Sequence, residues 1–163
     1  MQLFVLDYDP QRAAQMLCDV HLRKMCLETA QILSAAAVNL HLALPEILPK
    51  PYNRHHPAVK MLALPSMLQW TLQYNRFLHG EYFFRFGKSH VYSYLINIYA
   101  ELLSPYAAAD NTALKTLCGV FKNFTPQSSD IVEAYREYYL FKKTQMRSWH
   151  YSRRQEPVWL ERI

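Results

Sequence analysis

The sequence contains few glycines and few cysteines. Glycine occurs three times in 163 residues and 51% of the chain is hydrophobic, a composition that excludes a disordered chain and disfavours a turn-rich β-sandwich. Three cysteines, Cys18, Cys26 and Cys118, cannot all pair and lack zinc-type spacing, so reduced thiols are expected. No apolar run reaches the ~20 residues of a membrane span. We therefore expect one all-α domain over residues 1–163.

Charge is distributed unevenly between the two ends of the chain. Residues 1–10 carry two acids where a signal peptide carries bases, which predicts a cytoplasmic protein. Residues 136–163 carry seven Lys or Arg against three acids, which is +4 of the net +5. Aromatic rings alternate with these cations, as in surfaces that contact phosphates and bases, although an amphipathic helix with inward rings gives the same pattern. The candidate nucleic-acid-binding residues here are Lys142, Lys143, Arg147, Arg153, Arg154 and Trp159.

Prolines and capping residues divide the chain into helices. Asp9 before Pro10 predicts a helix start after a short apolar N-terminal arm. This first helix is expected to run to about Leu44, with a looser segment near Asn39. Further helices are predicted over residues 58–64, 66–88, 91–103, 111–122 and 131–149, with an irregular tail behind them. The expected architecture is a compact helical bundle.

The first predicted helix carries polar residues on two faces, whereas a surface helix needs only one. Asp19 and Arg23 share one face and are expected to meet solvent. A simple ion pair between Lys24 and Glu28 at i, i+4 is the plainer interpretation of the other face. The alternative is that this face lines a cleft or an internal polar network, since four side chains fall within about 80° of one another over three turns: His21, Lys24, Glu28 and Gln31.

The long aromatic helix has a matching polar face. Glu81, Arg85 and Lys88 lie within about 60° of one another. Arg85 and Lys88 are expected either to hold a phosphate or to satisfy Glu81, and this face would complete the cleft if it packed beside the first helix. No His-x-x-x-His or carboxylate–histidine pair has metal-binding spacing, so no metal or other cofactor is expected. The loop histidines placed to reach the cleft are His55, His56 and His90.

Three segments, in this order, resemble the pyrimidine dimer DNA glycosylases, typified by endonuclease V of T-even bacteriophages. They are Cys18-Asp19-Val20-His21-Leu22 with Glu28 seven residues after the histidine, Tyr52-Asn53-Arg54-His55-His56-Pro57, and Glu156-Pro157-Val158-Trp159-Leu160. The Asp-x-Asp-Pro arm, His-x-x-Lys-Met and the closing Pro-x-Trp are also similar to a group of small phage-borne proteins. That similarity implies a location in the cytoplasm of a bacterial host cell.

The resemblance implies a compact all-α fold that binds duplex DNA, excises a damaged pyrimidine and nicks the abasic strand. In the family an α-amine attacks the anomeric carbon of the deoxyribose, and a glutamate on the first helix stabilises the sugar cation. An α-amine suits this role because its pKa of ~7.7–8.0 leaves part of it neutral at pH 7. The resemblance assigns the glutamate's role to Glu28 and that of the site histidine to His21, while the basic tail and Trp159 grip the duplex.

This chain departs from the family pattern at two points that bear on the nucleophile. Gln2 is bulky, so Met1 is expected to be retained and to supply the amine. The arm before the first helix is longer than in the family, and Lys24, one turn before Glu28, is the alternative nucleophile. Leu27 stands where the family has an arginine.

Three hypotheses follow from these residues. The first is a DNA glycosylase, with or without abasic-site lyase activity, that acts on damaged or modified pyrimidines. The second is an enzyme that modifies pyrimidine bases or nucleotides, with Arg85 and Lys88 on a phosphate and Glu28 as general base. The third is a non-catalytic nucleic-acid-binding protein.

Overall fold

The computed structural model describes residues 2–51, 53–108 and 121–161. No strand occurs in these ranges, which confirms the all-α expectation. None of the helices in them is long and apolar enough to cross a membrane. Short 3-10 turns occupy Met61–Ala63, Ser104–Tyr106 and Val158–Leu160. The helices are α1 (Pro10–Gln15), α2 (Asp19–Asn39), α3 (Pro57–Lys60), α4 (Pro65–Phe86), α5 (Leu95–Leu103) and α6 (Ile131–Thr144).

Local capping explains where several helices begin and end. Asp9 accepts a hydrogen bond from the backbone N–H of Gln11 at 2.8 Å, with Pro10 in the first position of α1, as predicted. Asp130 caps α6 in the same way. Helix α4 ends at Phe86 and is capped by Gly87, whose φ of 66° lies in the left-handed region that glycine adopts without strain.

The long first helix predicted from the sequence is wrong, because two helices replace it. The chain leaves the helix between Gln15 and Asp19, and α2 ends at Asn39. The carbonyl oxygens of Gln15 and Leu17 each accept a hydrogen bond from the Arg85 guanidinium at 2.7 Å. A tertiary partner therefore satisfies backbone groups that a continuous helix would pair internally.

Two other boundaries differ and one prediction lies outside the described residues. Helix α5 begins at Leu95 instead of residue 91, after a run of turns. Helix α6 ends at Thr144 instead of Trp149, and the Trp149 ring packs edge-on to His21 with centroids 5.4 Å apart. Most of the helix predicted over 111–122 falls in residues 109–120, which the structure does not describe.

The core lies between α1, α2 and α4 and is closed by the N-terminal arm and α6. Leu3, Val5 and Leu6 of the arm are completely buried. On the α6 side, Arg136 Nε donates to the carbonyl oxygen of Leu6 at 2.9 Å. The arm is thus fixed along its length, with residue 2 against α2. The largest fully buried side chains are Trp70, Tyr74, Tyr99, Tyr135 and Tyr139.

Candidate active site and nucleic-acid interface

The carboxylate of Glu28 lies where the N-terminal arm meets α2. Its Oε2 accepts a hydrogen bond from the backbone N–H of Gln2 at 3.0 Å, and its Oε1 lies 3.2 Å from Lys24 Nζ. The side chain of Glu28 is 12% exposed, whereas that of Lys24 is 63% exposed. The structure therefore contains the ion pair between Lys24 and Glu28 that the sequence analysis gave as the plainer interpretation of this face. The same carboxylate is also held by the start of the chain, on a face that opens to solvent through Lys24.

The buried arm fixes the position of Gln2. Gln2 Oε1 accepts from the backbone N–H of Leu3 at 3.1 Å and lies 3.5 Å from the Tyr135 hydroxyl of α6. Sequence reasoning missed the contact between the Gln2 backbone and Glu28. The apolar run that starts at Leu3 indicates a buried arm, but it does not identify the helix that Gln2 contacts. Met1, one of the two candidate nucleophiles, lies outside the described residues.

His21 is buried in an aromatic cluster two turns before Glu28 on α2. Its ring lies 4.9 Å from Phe4, and its Nδ1 lies 3.0 Å from the Tyr139 hydroxyl. That hydroxyl also accepts a hydrogen bond from the backbone N–H of Cys18 at 2.8 Å. Burial, assisted by the charges of two lysines, lowers the pKa of His21 to about 4. At neutral pH His21 is an uncharged anchor for the arm and α6.

His56 lies on the same side of the molecule as Glu28. It caps α3, with Nδ1 accepting from the backbone N–H of Ala58 at 3.1 Å. Burial lowers the pKa of His56, and the nearby negative charge of Glu28 opposes that shift. The loop thus presents the neutral, Nε2-protonated ring within electrostatic range of the carboxylate. His55 is exposed and Gln31, one turn beyond Glu28, is half-buried.

A second polar cluster, which we call the closed network, lies on the opposite face of α2 and consists of Asp19, Glu81, Arg85, Ser152 and Arg154. The side chain of Arg85 is 0% exposed and donates to Asp19 at 3.0 Å and to Glu81 at 2.7 Å. Glu81 also receives two hydrogen bonds from Arg154, and Asp19 receives the backbone and hydroxyl protons of Ser152. The network ties the C-terminal tail to α2 and α4.

Electrostatics in the closed network favours ionised carboxylates. Burial raises the pKa of Asp19, but hydrogen bonds from Ser152 and Arg85 outweigh it and hold the pKa below its ordinary value. The pKa of Glu81 is lowered against the same opposition from burial, by Arg154 and Arg85. All three guanidinium nitrogens of Arg85 donate hydrogen bonds to acceptors within the protein. The cluster is therefore an internal brace.

The closed network corrects three expectations. Arg85 is not available to a nucleic-acid phosphate, because its guanidinium is buried against protein acceptors; of the two predicted roles, it satisfies Glu81. Asp19 is 5% exposed and does not face solvent, although Arg23 does. The polar face of α4 does not complete a cleft with Glu28, because it packs on the other side of α2.

The remaining predicted nucleic-acid-binding residues differ in how far their side chains are exposed to solvent. Lys88 and Arg147 are exposed. Arg153 is exposed and donates to the carbonyl oxygen of Phe84 at 3.0 Å. Lys142 is half-buried, with Nζ 5.9 Å from the centroid of the Tyr138 ring. Since the Lys24 and Lys142 charges both lower the pKa of His21, both ammonium groups lie near it.

Four residues predicted to contact nucleic acid instead contact other parts of the protein. Lys143 pairs with Glu156, and Arg154 with Glu81. The half-buried ring of Trp159 packs on α6, under the Arg136 guanidinium at 5.4 Å. His90 packs against His79 and Tyr82 instead of reaching Glu28.

Comparison with known proteins gives one match. The family model described as pyrimidine dimer DNA glycosylase matches residues 1–91, which include the arm, α2 and α4. No curated protein and no solved structure matches the chain. The matched segment carries His21, Lys24, Glu28 and His56, and it spans more than half of the chain. The chain therefore belongs to the pyrimidine dimer DNA glycosylase family.

Proposed function

We propose that this protein excises damaged or modified pyrimidines from duplex DNA and nicks the abasic strand that results. The observation that carries the proposal is the 3.0 Å hydrogen bond from Gln2 N to Glu28 Oε2, because it brings the start of the chain to a sheltered carboxylate. Residues 1–163 act as one glycosylase-like helical domain, since α6 lies beyond the matched segment and holds the arm that presents Gln2.

The α-amine of Met1 is the proposed nucleophile. Three covalent bonds join it to the Gln2 amide nitrogen, which donates to Glu28 Oε2 at 3.0 Å. With a pKa of ~7.7–8.0, roughly a tenth of an α-amine is neutral at pH 7, against roughly 0.04% of a lysine with a pKa of ~10.4. Lys24, whose Nζ is 3.2 Å from the carboxylate, is the alternative.

The proposed reaction uses the amine as nucleophile and Glu28 both to stabilise charge and to accept a proton. The neutral amine attacks C1′ of the deoxyribose while the bond from C1′ to the base breaks, and the base leaves with the electron pair and takes up a proton. Glu28 stabilises the positive charge that develops on the sugar and accepts the amine proton. Opening of the sugar ring gives an imine. Removal of a C2′ proton then expels the 3′ phosphate and nicks the strand.

DNA is proposed to approach the face that carries Lys24 and Lys142. These ammonium groups and the exposed Arg147 supply attraction that does not depend on sequence. The Nε2–H of His56 is the proposed donor to the sugar or its phosphate. Because the Glu28 side chain is only 12% exposed, C1′ reaches it after the nucleotide is extruded from the duplex. A lesion that weakens stacking lowers the cost of that step.

The test is a panel of lesion-bearing duplexes incubated with the protein and borohydride, which reduces an imine to a stable bond. We expect a covalent adduct and release of base on at least one pyrimidine lesion. Lys60→Gln, a substitution at an exposed lysine of α3, serves as a control variant. It should leave the covalent adduct and base release unchanged. Absence of both signals across the panel would overturn the proposal, and turnover of free nucleotides alone would support the nucleotide-modifying hypothesis instead.

A further inference from the structure

Three side chains of the types that ligate metals lie close together on the side of α2 that faces away from Glu28. Cys26 of α2, His79 of α4 and His90 in the following loop each place one ligand atom within 4.8 Å of the other two. Cys26 and His79 are buried and His90 is half-buried. The sequence showed no such spacing, because the three ligands come from three separate segments.

The imidazole of His79 is not explained by packing alone. Its side chain is 4% exposed, and neither ring nitrogen has a hydrogen-bond partner among the described residues. Buried polar groups in native proteins nearly always have a partner, so a ring of this kind points to a ligand. Asn75, one turn earlier on α4, is 1% exposed and its Oδ1 is also without a partner in the same part of the chain.

The protonation states of the three groups suit a cation. Burial, with a contribution from His90, lowers the pKa of His79 to about 4, and burial also lowers the pKa of His90. Both rings are therefore neutral at pH 7, which is the form that ligates a metal. Burial raises the pKa of the Cys26 thiol to about 12, so the thiol keeps its proton until a cation displaces it.

We propose that Cys26, His79 and His90 bind one zinc ion, with Asn75 Oδ1 or a water molecule as the fourth ligand. One thiolate and two imidazoles form a donor set that favours Zn²⁺ over Mg²⁺ or Ca²⁺, which prefer oxygen. Zn–N bonds of ~2.0–2.1 Å and a Zn–S bond of ~2.3 Å place tetrahedral ligands about 3.3–3.7 Å apart. The cluster, with its ligand atoms within 4.8 Å, closes by about 1 Å on binding.

Binding exchanges a proton for the ion and involves no oxidation. The Cys26 S–H bond breaks, the sulfur binds Zn²⁺, and one proton passes to solvent. His90 is the ligand that adjusts, since its Nδ1 accepts only a long 3.3 Å hydrogen bond from Tyr92 N. Ligation gives up that bond and links the loop after α4 to α2. The ion therefore stabilises the end of α4 without taking part in the chemistry at Glu28.

The test uses the full chain, purified without a histidine tag and stripped of metal by a chelator. Co²⁺ is titrated first because its bond to thiolate gives a charge-transfer band, and Zn²⁺ is then added. We expect the band to saturate at one equivalent of Co²⁺ and to vanish with one equivalent of Zn²⁺. One proton should be released for each ion, and Zn²⁺ should raise Tm by several degrees.

Three variants assign the site. Cys26→Ser should abolish the band. His90→Gln, in the half-buried loop, should weaken Zn²⁺ binding more than about 100-fold, because even partners outside the ligand shell contribute about 10–100-fold. Cys18→Ala removes another buried free thiol and should keep the band. The proposal is overturned if the full chain gives no band, if the band survives Cys26→Ser, or if it disappears in Cys18→Ala. His90→Gln decides the matter if Cys26→Ser does not fold.

Discussion

The two polar faces of α2 contain the same kinds of side chain and differ in what satisfies them. In the closed network, Arg85 is 0% exposed and its partners are two carboxylates and two backbone carbonyls. On the opposite face, the Glu28 carboxylate faces a lysine that is 63% exposed and the backbone N–H of Gln2. One face is sealed by the C-terminal tail, and the other is reached from solvent and from the start of the chain.

The two faces of α2 therefore have different roles. The closed network stabilises the fold, and the face with Glu28 carries the proposed chemistry. A buried and mutually satisfied ion network loses stability when one member is removed, because the remaining charges are left unpaired. Neutralising a carboxylate beside an exposed ammonium costs the protein little stability, but the side chain loses its capacity to accept a proton or stabilise a cation. Substitutions on the two faces should therefore affect different measurements.

The largest expected effect is on activity. Glu28→Gln keeps the size of the side chain and removes its charge, so base release and borohydride trapping should fall about 10²–10⁴-fold. The free energy of unfolding should change by less than about 1 kcal/mol, because the lost ion pair involves an exposed lysine. Single-turnover base release and urea denaturation measure the two quantities. Glu101→Gln, an exposed carboxylate on α5, is the control, and equal activity in the two variants would contradict the assignment of Glu28.

The next largest effect is on stability. Arg85→Met should lower the free energy of unfolding by about 3 kcal/mol, because it leaves the buried Asp19 and Glu81 carboxylates short of a cation. The loss is at the low end for a broken buried pair, since Arg154 and Ser152 still donate to them. Urea denaturation at pH 7 measures it.

The matched control for Arg85→Met is Arg76→Met, an exposed position on the same helix. It should change the free energy of unfolding by no more than about 0.5 kcal/mol. If the two arginine variants are equally stable, the closed network is not a brace.

The two faces should also respond to acid in different pH ranges. Burial and the charges of Lys24 and Lys142 lower the pKa of His21 to about 4 from 6.5. Between these values the unfolded chain binds a proton that the folded chain does not, so stability is full above pH 6.5 and falls as the pH drops toward 4. The pKa of Asp19 is lowered too, but its contribution is lost only below about pH 3.9, where its unfolded form becomes protonated.

Urea denaturation of metal-free protein between pH 7.5 and 3 tests this separation. A buried neutral histidine contributes up to about 1.4 kcal/mol per pH unit, so His21→Gln should reduce the slope between pH 6.5 and 4 by up to that amount. His55→Gln, at an exposed position, should leave the slope unchanged. An unchanged slope in His21→Gln would show that His21 is not buried as a neutral ring.

The smallest expected effect is on the salt dependence of DNA binding. Arg147→Ala removes an exposed cation and should lower the slope of log affinity against log salt by about 0.9 if that cation meets one phosphate. Arg154→Ala should lower it less, because the Arg154 guanidinium is bonded to Glu81. Fluorescence anisotropy over a range of salt concentrations measures both slopes. An equal fall in the two variants would mean that the closed network opens on binding DNA.

Sequence alone predicted the features that helix geometry and capping dictate. The spacing of Lys24 and Glu28 puts them in contact on any helix, and Asp9 before Pro10 defines the start of α1. The same periodicity could not place Arg85, because its partners include carbonyl oxygens at a helix break, which have no side-chain pattern. It also could not show that Gln2 contacts Glu28, since that contact depends on the packing of the arm between α2 and α6.

The central claim is that the reaction at Glu28 begins with the first amine of the chain. The most direct measurement is mass spectrometry of the borohydride-trapped adduct after proteolysis, with Lys24→Gln analysed in parallel. The account predicts that the sugar remnant is attached to the Met1 α-amine, that the adduct persists in Lys24→Gln, and that acetylation of the amine abolishes it. A remnant on the Lys24 side chain, or an adduct that survives acetylation of the amine, would contradict it.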